Sequence, residues 1–147
     1  MGVIDVDWAQ IEVDLIRVAL AFALAFPIAW ERGRGRASIG LRTLPIVAMA
    51  ACGFALIIRW APSADAESQA RVLQGIITGI GFIGGGAIVK QGTDVRGLVT
   101  AASIWNAGAI GVAVGYGRAD VGIVLSITNM LVLLILKPVA EGRQGDE

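Results

Sequence analysis

The side chains able to do chemistry are few in this sequence, and they are grouped. Glu31 and Arg32 stand together, Arg42 and Thr43 follow Gly40, and Lys90, Asp94 and Arg96 fall within seven residues of one another. Acid–base catalysis would ask for a group of tunable pKa, and the chain has no His. Its one thiol, Cys52, lies in an apolar run where it reads as a packing residue, and no Ser occupies a nucleophile-elbow pattern. Enzymatic activity, a His/Cys metal cluster, an intrachain disulfide and a bound cofactor are therefore not expected. A net charge of zero points away from nucleic acid. The remaining roles for the charged groups are electrostatic: an ion-pair network that anchors to anionic lipid, or a docking surface or gate for another protein.

The elements that carry these groups are apolar. Of 147 residues, 56% are apolar and 16% charged, against roughly 45–50% and about 25% in an average soluble domain. The charges also sit between the apolar runs rather than within them. A membrane helix needs about 20 mostly apolar residues. Marking the gaps between charges gives five segments: Ile11 to Trp30, Thr43 to Ile58, Val72 to Val89, Gly97 to Gly117, and Val121 to Leu136. The rival reading, buried core helices of a soluble protein, fails because no amphipathic surface helices are left over to cover them. The expected fold is an all-α integral membrane bundle of about five transmembrane helices. It fills residues 1–140 as one domain, and a short tail follows over 141–147. Asp14 and Arg17, one turn apart at the mouth of the first segment, are placed to pair. Asp5, Asp7 and Glu12 precede any Arg, unlike the positive start of a signal peptide, so the first segment is expected to be retained.

Lys and Arg set the orientation. With the N-terminus outside, the inner side holds Arg32, Arg34, Arg36, Arg42, Lys90, Arg96, Lys137 and Arg143. The outer side holds only Arg17, Arg59, Arg71 and Arg118. That asymmetry predicts an N-out, C-in topology, with the charged clusters on one cytoplasmic face and Lys90 to Arg96 forming a tight turn around Gly92.

Glycine makes up 20 of the 147 residues, about twice the usual share. The third segment holds Gly75/Gly79 and Gly81/Gly85, and the fourth Gly111/Gly115, at the spacing that lets membrane helices approach closely. This places the third segment at the centre of the bundle, packed through Gly79, Gly81 and Gly85. The alternative is that Gly84-Gly85-Gly86 breaks the helix and offers carbonyls to an ion. The polar residues inside the segments, Thr78, Thr100, Ser103, Asn106, Ser126, Thr128 and Asn129, are read mostly as interhelical hydrogen-bonding groups. Asn106 and Asn129, the costliest to leave unpaired, should each face another helix. No Asp or Glu lies within the second to fourth segments. A divalent cation usually asks for carboxylates, so a Mg²⁺ pathway has little to line it.

These pieces resemble the MgtC/SapB family of bacterial inner-membrane proteins. The resemblance rests on Glu31-Arg32, Gly40-Leu41-Arg42-Thr43, TGIGFIGGGAIV from Thr78 to Val89, VRGLVTAASIW from Val95 to Trp105, and GAIGVAVGYG from Gly108 to Gly117. Their order and spacing agree over residues about 15 to 136. The resemblance marks Gly97, Thr100, Trp105 and Asn106, beside the residues named above, as functional or packing candidates. It implies a five-helix, N-out bundle and a role in adaptation to low Mg²⁺, with survival inside macrophages in pathogens. It implies action through other inner-membrane proteins, notably the F-type ATP synthase, rather than Mg²⁺ carriage. Homo-oligomers are a further expectation, and a small Mg²⁺ or other ion transporter is the alternative. Many members carry a soluble C-terminal domain of the ACT type, and this sequence reads as the short form. Virulence-type members often have Asn where this chain has Asp94, which leaves a housekeeping envelope or ion-stress role open.

Overall fold

The computed structural model describes residues 7–34, 40–59, 61 and 65–142. Arg36, Arg143 and the side chain of Lys137, which enter the orientation count, lie outside the described residues, as does the tail beyond 142. The elements run α1 (Trp8–Gly33), α2 (Gly40–Arg59), α3 (Ala66–Gly86), β1 (Val89–Gln91), β2 (Asp94–Arg96), α4 (Leu98–Gly115) and α5 (Ala119–Gly142). The fold is the expected all-α bundle of five helices.

Local chemistry decides where the helices begin and end. Asp7 caps α1 by accepting from the backbone N–H of Ala9 and Gln10 at 3.0 and 3.1 Å. Asp65 caps α3 in the same way, accepting from Ser68 at 2.8 Å. These bonds favour the carboxylate and hold Asp65 below its ordinary pKa of 3.8. The cap starts α3 at Ala66, six residues before the hydropathy boundary at Val72, and brings the Glu67–Arg71 ion pair into its first turns. At its other end α3 runs unbroken into Gly84-Gly85-Gly86, which form its last turn. The N–H groups of Ala87 and Ile88 close that turn on the carbonyls of Gly84 and Gly85, both at 3.1 Å. The glycine run is a helix end and not a break within a span.

The expected tight turn is a small antiparallel hairpin, with Val89 opposite Arg96, Lys90 opposite Val95, and Gln91 opposite Asp94. Its loop is Gly92-Thr93. Gly92 has φ +62° and Thr93 has negative φ, the pattern of a type II′ turn with glycine first.

The third helix is not the centre of the bundle. That place belongs to α4, which packs on all four other helices and most extensively on α2. α3 buries only Ile76, Ile80 and Gly84. A Cβ added at Gly79, Gly81 or Gly85 meets nothing within 4 Å, so these glycines do not bring α3 close to its own bundle. The small-residue contact is on α4. A Cβ at Gly111 would stand 2.1 Å from the Ala48 carbonyl oxygen, and one at Gly115 would stand 2.8 Å from that of Cys52. Opposite them α2 presents Ala48, Ala51, Cys52 and Ala55, all buried, so backbone packs on backbone.

Most intramembrane hydroxyls bond their own helix. Thr78, Ser103 and Thr128 each donate to the carbonyl four residues back, which satisfies them without tying helices together. Three groups do cross, Thr100 by accepting from Arg32 of α1 at 2.7 Å. Ser126 donates to the Leu24 carbonyl at 2.6 Å, joining α5 to α1, and the Asn106 amide reaches the Leu125 carbonyl at 3.5 Å, joining α4 to α5. Asn129 lies in the same α4–α5 crevice as Asn106. Large apolar side chains cover the outside, including the Phe22, Phe26 and Trp30 ladder on α1. Three helical stretches, Gly40–Arg59, Leu98–Gly115 and Ala119–Leu136, are long and apolar enough to cross a membrane.

Candidate functional site

The sequence candidates converge on one end of the bundle, where α1 finishes, α2 begins, and the β1–β2 hairpin links α3 to α4. Antiparallel connections bring Glu31-Arg32, Gly40 to Thr43, Lys90 to Gly97, and Thr100 to this end although up to 69 residues separate them in sequence.

Arg32 is the organising side chain. Its Nη2 donates to Thr100 Oγ1 at 2.7 Å, linking the last turn of α1 to the first turn of α4. Its Nε is buried and has no hydrogen-bond partner among the described residues. The stem is held by close backbone packing: a Cβ at Gly40 would lie 2.8 Å from Arg32 Cβ, so glycine there lets α2 start against it. Glu31 is nearly buried, its side chain 9% exposed, with its carboxylate 3.8 Å from Arg34.

Gly97 positions the other half. It occupies the N-cap of α4 in the left-handed region at φ +89°, and a Cβ there would fall 2.0 Å from the Ala87 carbonyl oxygen. Both the dihedral and the close approach require glycine. The tight passage from α3 into α4 sets Thr100 one turn later, within reach of Arg32.

Around this clasp, Arg42, Lys90, Asp94 and Arg96 are all exposed. Among the described residues, none of the four makes an ion pair. Among the described residues, then, these four do not join the ion-pair network expected across the face. Each of these side chains reaches water on its own, where a surface pair would have contributed little. Thr43 is half-buried at the start of α2. Trp105 is half-exposed on α4 and borders an apolar cavity of about 270 Å³ with Ile76 and Ile80. Asn106 serves the α4–α5 contact, away from the clasp. Gly79, Gly81 and Gly85 stand apart from it on α3.

The site can offer hydrogen-bond donors and positive charge. Among the described residues it presents no nucleophile paired with a base. Sequence reasoning singles out Arg32 and Thr100 without pairing them, and nothing in their local spacing marks a contact between helices so far apart in the chain.

Sequence reasoning placed Asp14 and Arg17 together, and they are, at 4.0 Å. It missed how far Arg17 is withdrawn: the side chain is 22% exposed, and Nη1 is buried without a hydrogen-bond partner among the described residues. Gln10 completes the column, donating to Asp14 at 2.8 Å. The signal was the spacing of Gln10, Asp14 and Arg17, which share a helix face with the buried Ala21 and Ala25.

A family model described as the MgtC family matches residues 18–141 of the chain. A protein of Brucella abortus named MgtC is 36% identical over 134 residues, covering 91% of this chain and 56% of that protein. An uncharacterized protein of Synechocystis is 34% identical over 126 residues, covering 86% of this chain and 53% of its own length. The Escherichia coli K12 protein YhiD, provisionally named a magnesium transporter, is 34% identical over 126 residues, covering 81% of this chain and 58% of that one. The chain thus spans a little over half the length of these relatives. No solved structure matches it.

Proposed function

The chain belongs to the MgtC family, and from that premise we propose that it is a non-enzymatic protein of the bacterial inner membrane that serves adaptation to Mg²⁺ limitation and ion stress. All five helices cross the bilayer, N-out and C-in, with the Arg32–Thr100 clasp on the cytoplasmic face. The protein acts by contact with other membrane proteins, the F-type ATP synthase among them.

The observation that carries this reading is the way the interior is filled. Ala21, Ala25, Ile28, Leu44, Ala48, Ile104 and Ile110 are fully or almost fully buried at the meeting of α1, α2 and α4. A groove of about 490 Å³ between α2 and α3 is walled by apolar residues. A hard divalent cation holds its hydration tightly and exchanges it only for oxygen ligands. Apolar walls supply none. The charge the protein displays is instead at the helix ends, in Arg42, Lys90 and Arg96, where a partner at the membrane surface would meet it.

Co-reconstitution tests this. Purified protein would be incorporated into liposomes with F-type ATP synthase, and ATP-driven proton pumping measured. Restrained pumping is expected, with Arg42→Ala accumulating normally and failing to restrain it. Pumping that is the same with and without the protein would remove the ATP synthase from the reading.

A second reading, a small Mg²⁺ carrier, is favoured by the name given to the Escherichia coli relative. It would need α2 and α3 to part further and admit water to the glycine-lined wall of the groove.

A further inference from the structure

The groove between α2 and α3 has apolar walls and a charged mouth. Ile46, Ala50 and Phe54 line it from α2, one turn apart, and Gly75, Gly79 and Ile83 line it from α3. The two glycines widen it, since a Cβ at either would meet nothing within 4 Å. Ile46, Phe54 and Ile83 are each about half exposed, so the chain itself leaves the groove open. No side chain along its walls carries a hydrogen-bonding group.

The mouth lies at the end of the bundle where α2 begins and α3 finishes. Arg42 and Thr43 stand one helical turn before Ile46 and Val47, both of which line the groove. Arg42 is exposed and makes no ion pair among the described residues. Thr43, half-buried beside it, adds a hydroxyl. The hairpin brings the exposed Lys90, Asp94 and Arg96 to the same end, so the charge around the mouth is positive.

We propose that the groove holds the acyl tail of an anionic phospholipid whose phosphate is bound by Arg42. Hydrocarbon surrounds the walls and they offer water no partner, so a tail fills the space. Charge selects this occupant over a protein one. The cytoplasmic ends of membrane helices are rich in Lys and Arg. A partner helix, or a second copy with its own Arg42, Lys90 and Arg96, would therefore bring cations against a cation. A phospholipid brings the opposite charge joined to an apolar tail, and a planar guanidinium takes two phosphate oxygens at once. That the lipid comes from the cytoplasmic leaflet rests on the N-out topology proposed above; the binding itself does not. Arg42 also enters the contact with ATP synthase proposed above. Lipid binding is read on the isolated protein, so either reading can fail alone.

Native mass spectrometry of the purified protein in neutral detergent, titrated with phosphatidylglycerol, tests it. One such lipid per 15.2 kDa chain should bind at least fivefold more tightly than phosphatidylcholine, whose headgroup has no net charge. Glycerol phosphate, a headgroup without a tail, should not bind measurably. Arg42→Ala should abolish the preference and leave phosphatidylcholine binding unchanged. Gly79→Phe, which fills the groove, should weaken both lipids at least tenfold. Gly81→Phe, on the same helix and equally open but outside the groove, should weaken neither. The proposal is overturned if the two lipids bind alike, if Arg42→Ala keeps the preference, or if glycerol phosphate binds as tightly as the lipid. It is equally overturned if Gly79→Phe weakens binding no more than Gly81→Phe, or if the protein leaves the detergent as a dimer free of lipid. Should Gly79→Phe unfold the chain, phosphatidylglycerol with a photoreactive group in its tail decides on the unmodified protein: adducts within residues 46–54 or 72–83 uphold the site, and adducts elsewhere overturn it.

Discussion

Replacing Gly111 by Ala should drive α2 and α4 apart. The added Cβ would stand 2.1 Å from the Ala48 carbonyl oxygen and 3.0 Å from Ala51 Cβ. The oxygen belongs to helical backbone and cannot turn aside as a side chain can. Reaching ordinary contact requires the axes to separate by roughly 1 Å, a gap at which the facing atoms lose a quarter to a half of their dispersion energy. Overpacking of this kind costs about 1–3 kcal/mol, and loss of contact along the rest of the seam at Gly115 and Ala55 adds to it. Ala gains at most about 1 kcal/mol over Gly in helix propensity. The expected net loss is about 2 kcal/mol, or roughly thirtyfold in the folding equilibrium. Gly53→Ala, on α2 with nothing within 4 Å of its Cβ, is the matched control and should be neutral or stabilising. Unfolding in mixed micelles, followed by tryptophan fluorescence, would compare the two. A Gly111→Ala protein at least as stable as the unmodified one would refute the close packing of α2 on α4.

Three further outcomes are expected from the same structure. Thr100→Val leaves Arg32 Nη2 without its acceptor and should cost about 1–2 kcal/mol. Combined with Arg32→Ala, the two losses should fall short of additive by about 1 kcal/mol in a double-mutant cycle. Gly97→Ala combines a left-handed φ with a 2.0 Å approach to backbone and should cost about 3 kcal/mol or more, read as failure to accumulate in the membrane. Asp65 has a depressed pKa in the fold, so its capping stabilises α3 above the ordinary carboxylate pKa of 3.8 and is lost as pH falls through the lower folded value. Hydrogen exchange at Ser68 and Gln69 should therefore gain protection with rising pH across that range once intrinsic rates are corrected, and Asp65→Asn should remove the dependence.

Much of the architecture was legible because a bilayer imposes a simple rule on where charge can sit. The gaps between charges located all five helices. Their ends were less legible, since Asp65 starts α3 by a hydrogen bond that hydropathy does not register. The hairpin was hidden because three-residue strands carry almost no periodicity, although Gly92 marked its turn. Glycine spacing misled for α3. It shows that a helix has a face without side chains, and it does not show what lies against that face. Gly111/Gly115 and Gly81/Gly85 have the same spacing, yet the chain itself meets only the first pair. The distinguishing signal was in α2, where Ala48, Ala51, Cys52 and Ala55 form a matching small stripe. The parts of the site were visible as residue types, but the Arg32–Thr100 contact depends on how α1 and α4 pack.

Mg²⁺ entry into liposomes is the most direct test of action by contact rather than by carriage. The purified protein would be reconstituted around a trapped Mg²⁺ indicator, beside empty liposomes and a known Mg²⁺ carrier. Entry equal to that of empty liposomes, with the carrier working, is the predicted result. Entry that rises with the amount of protein would contradict it and would locate the path along the groove between α2 and α3.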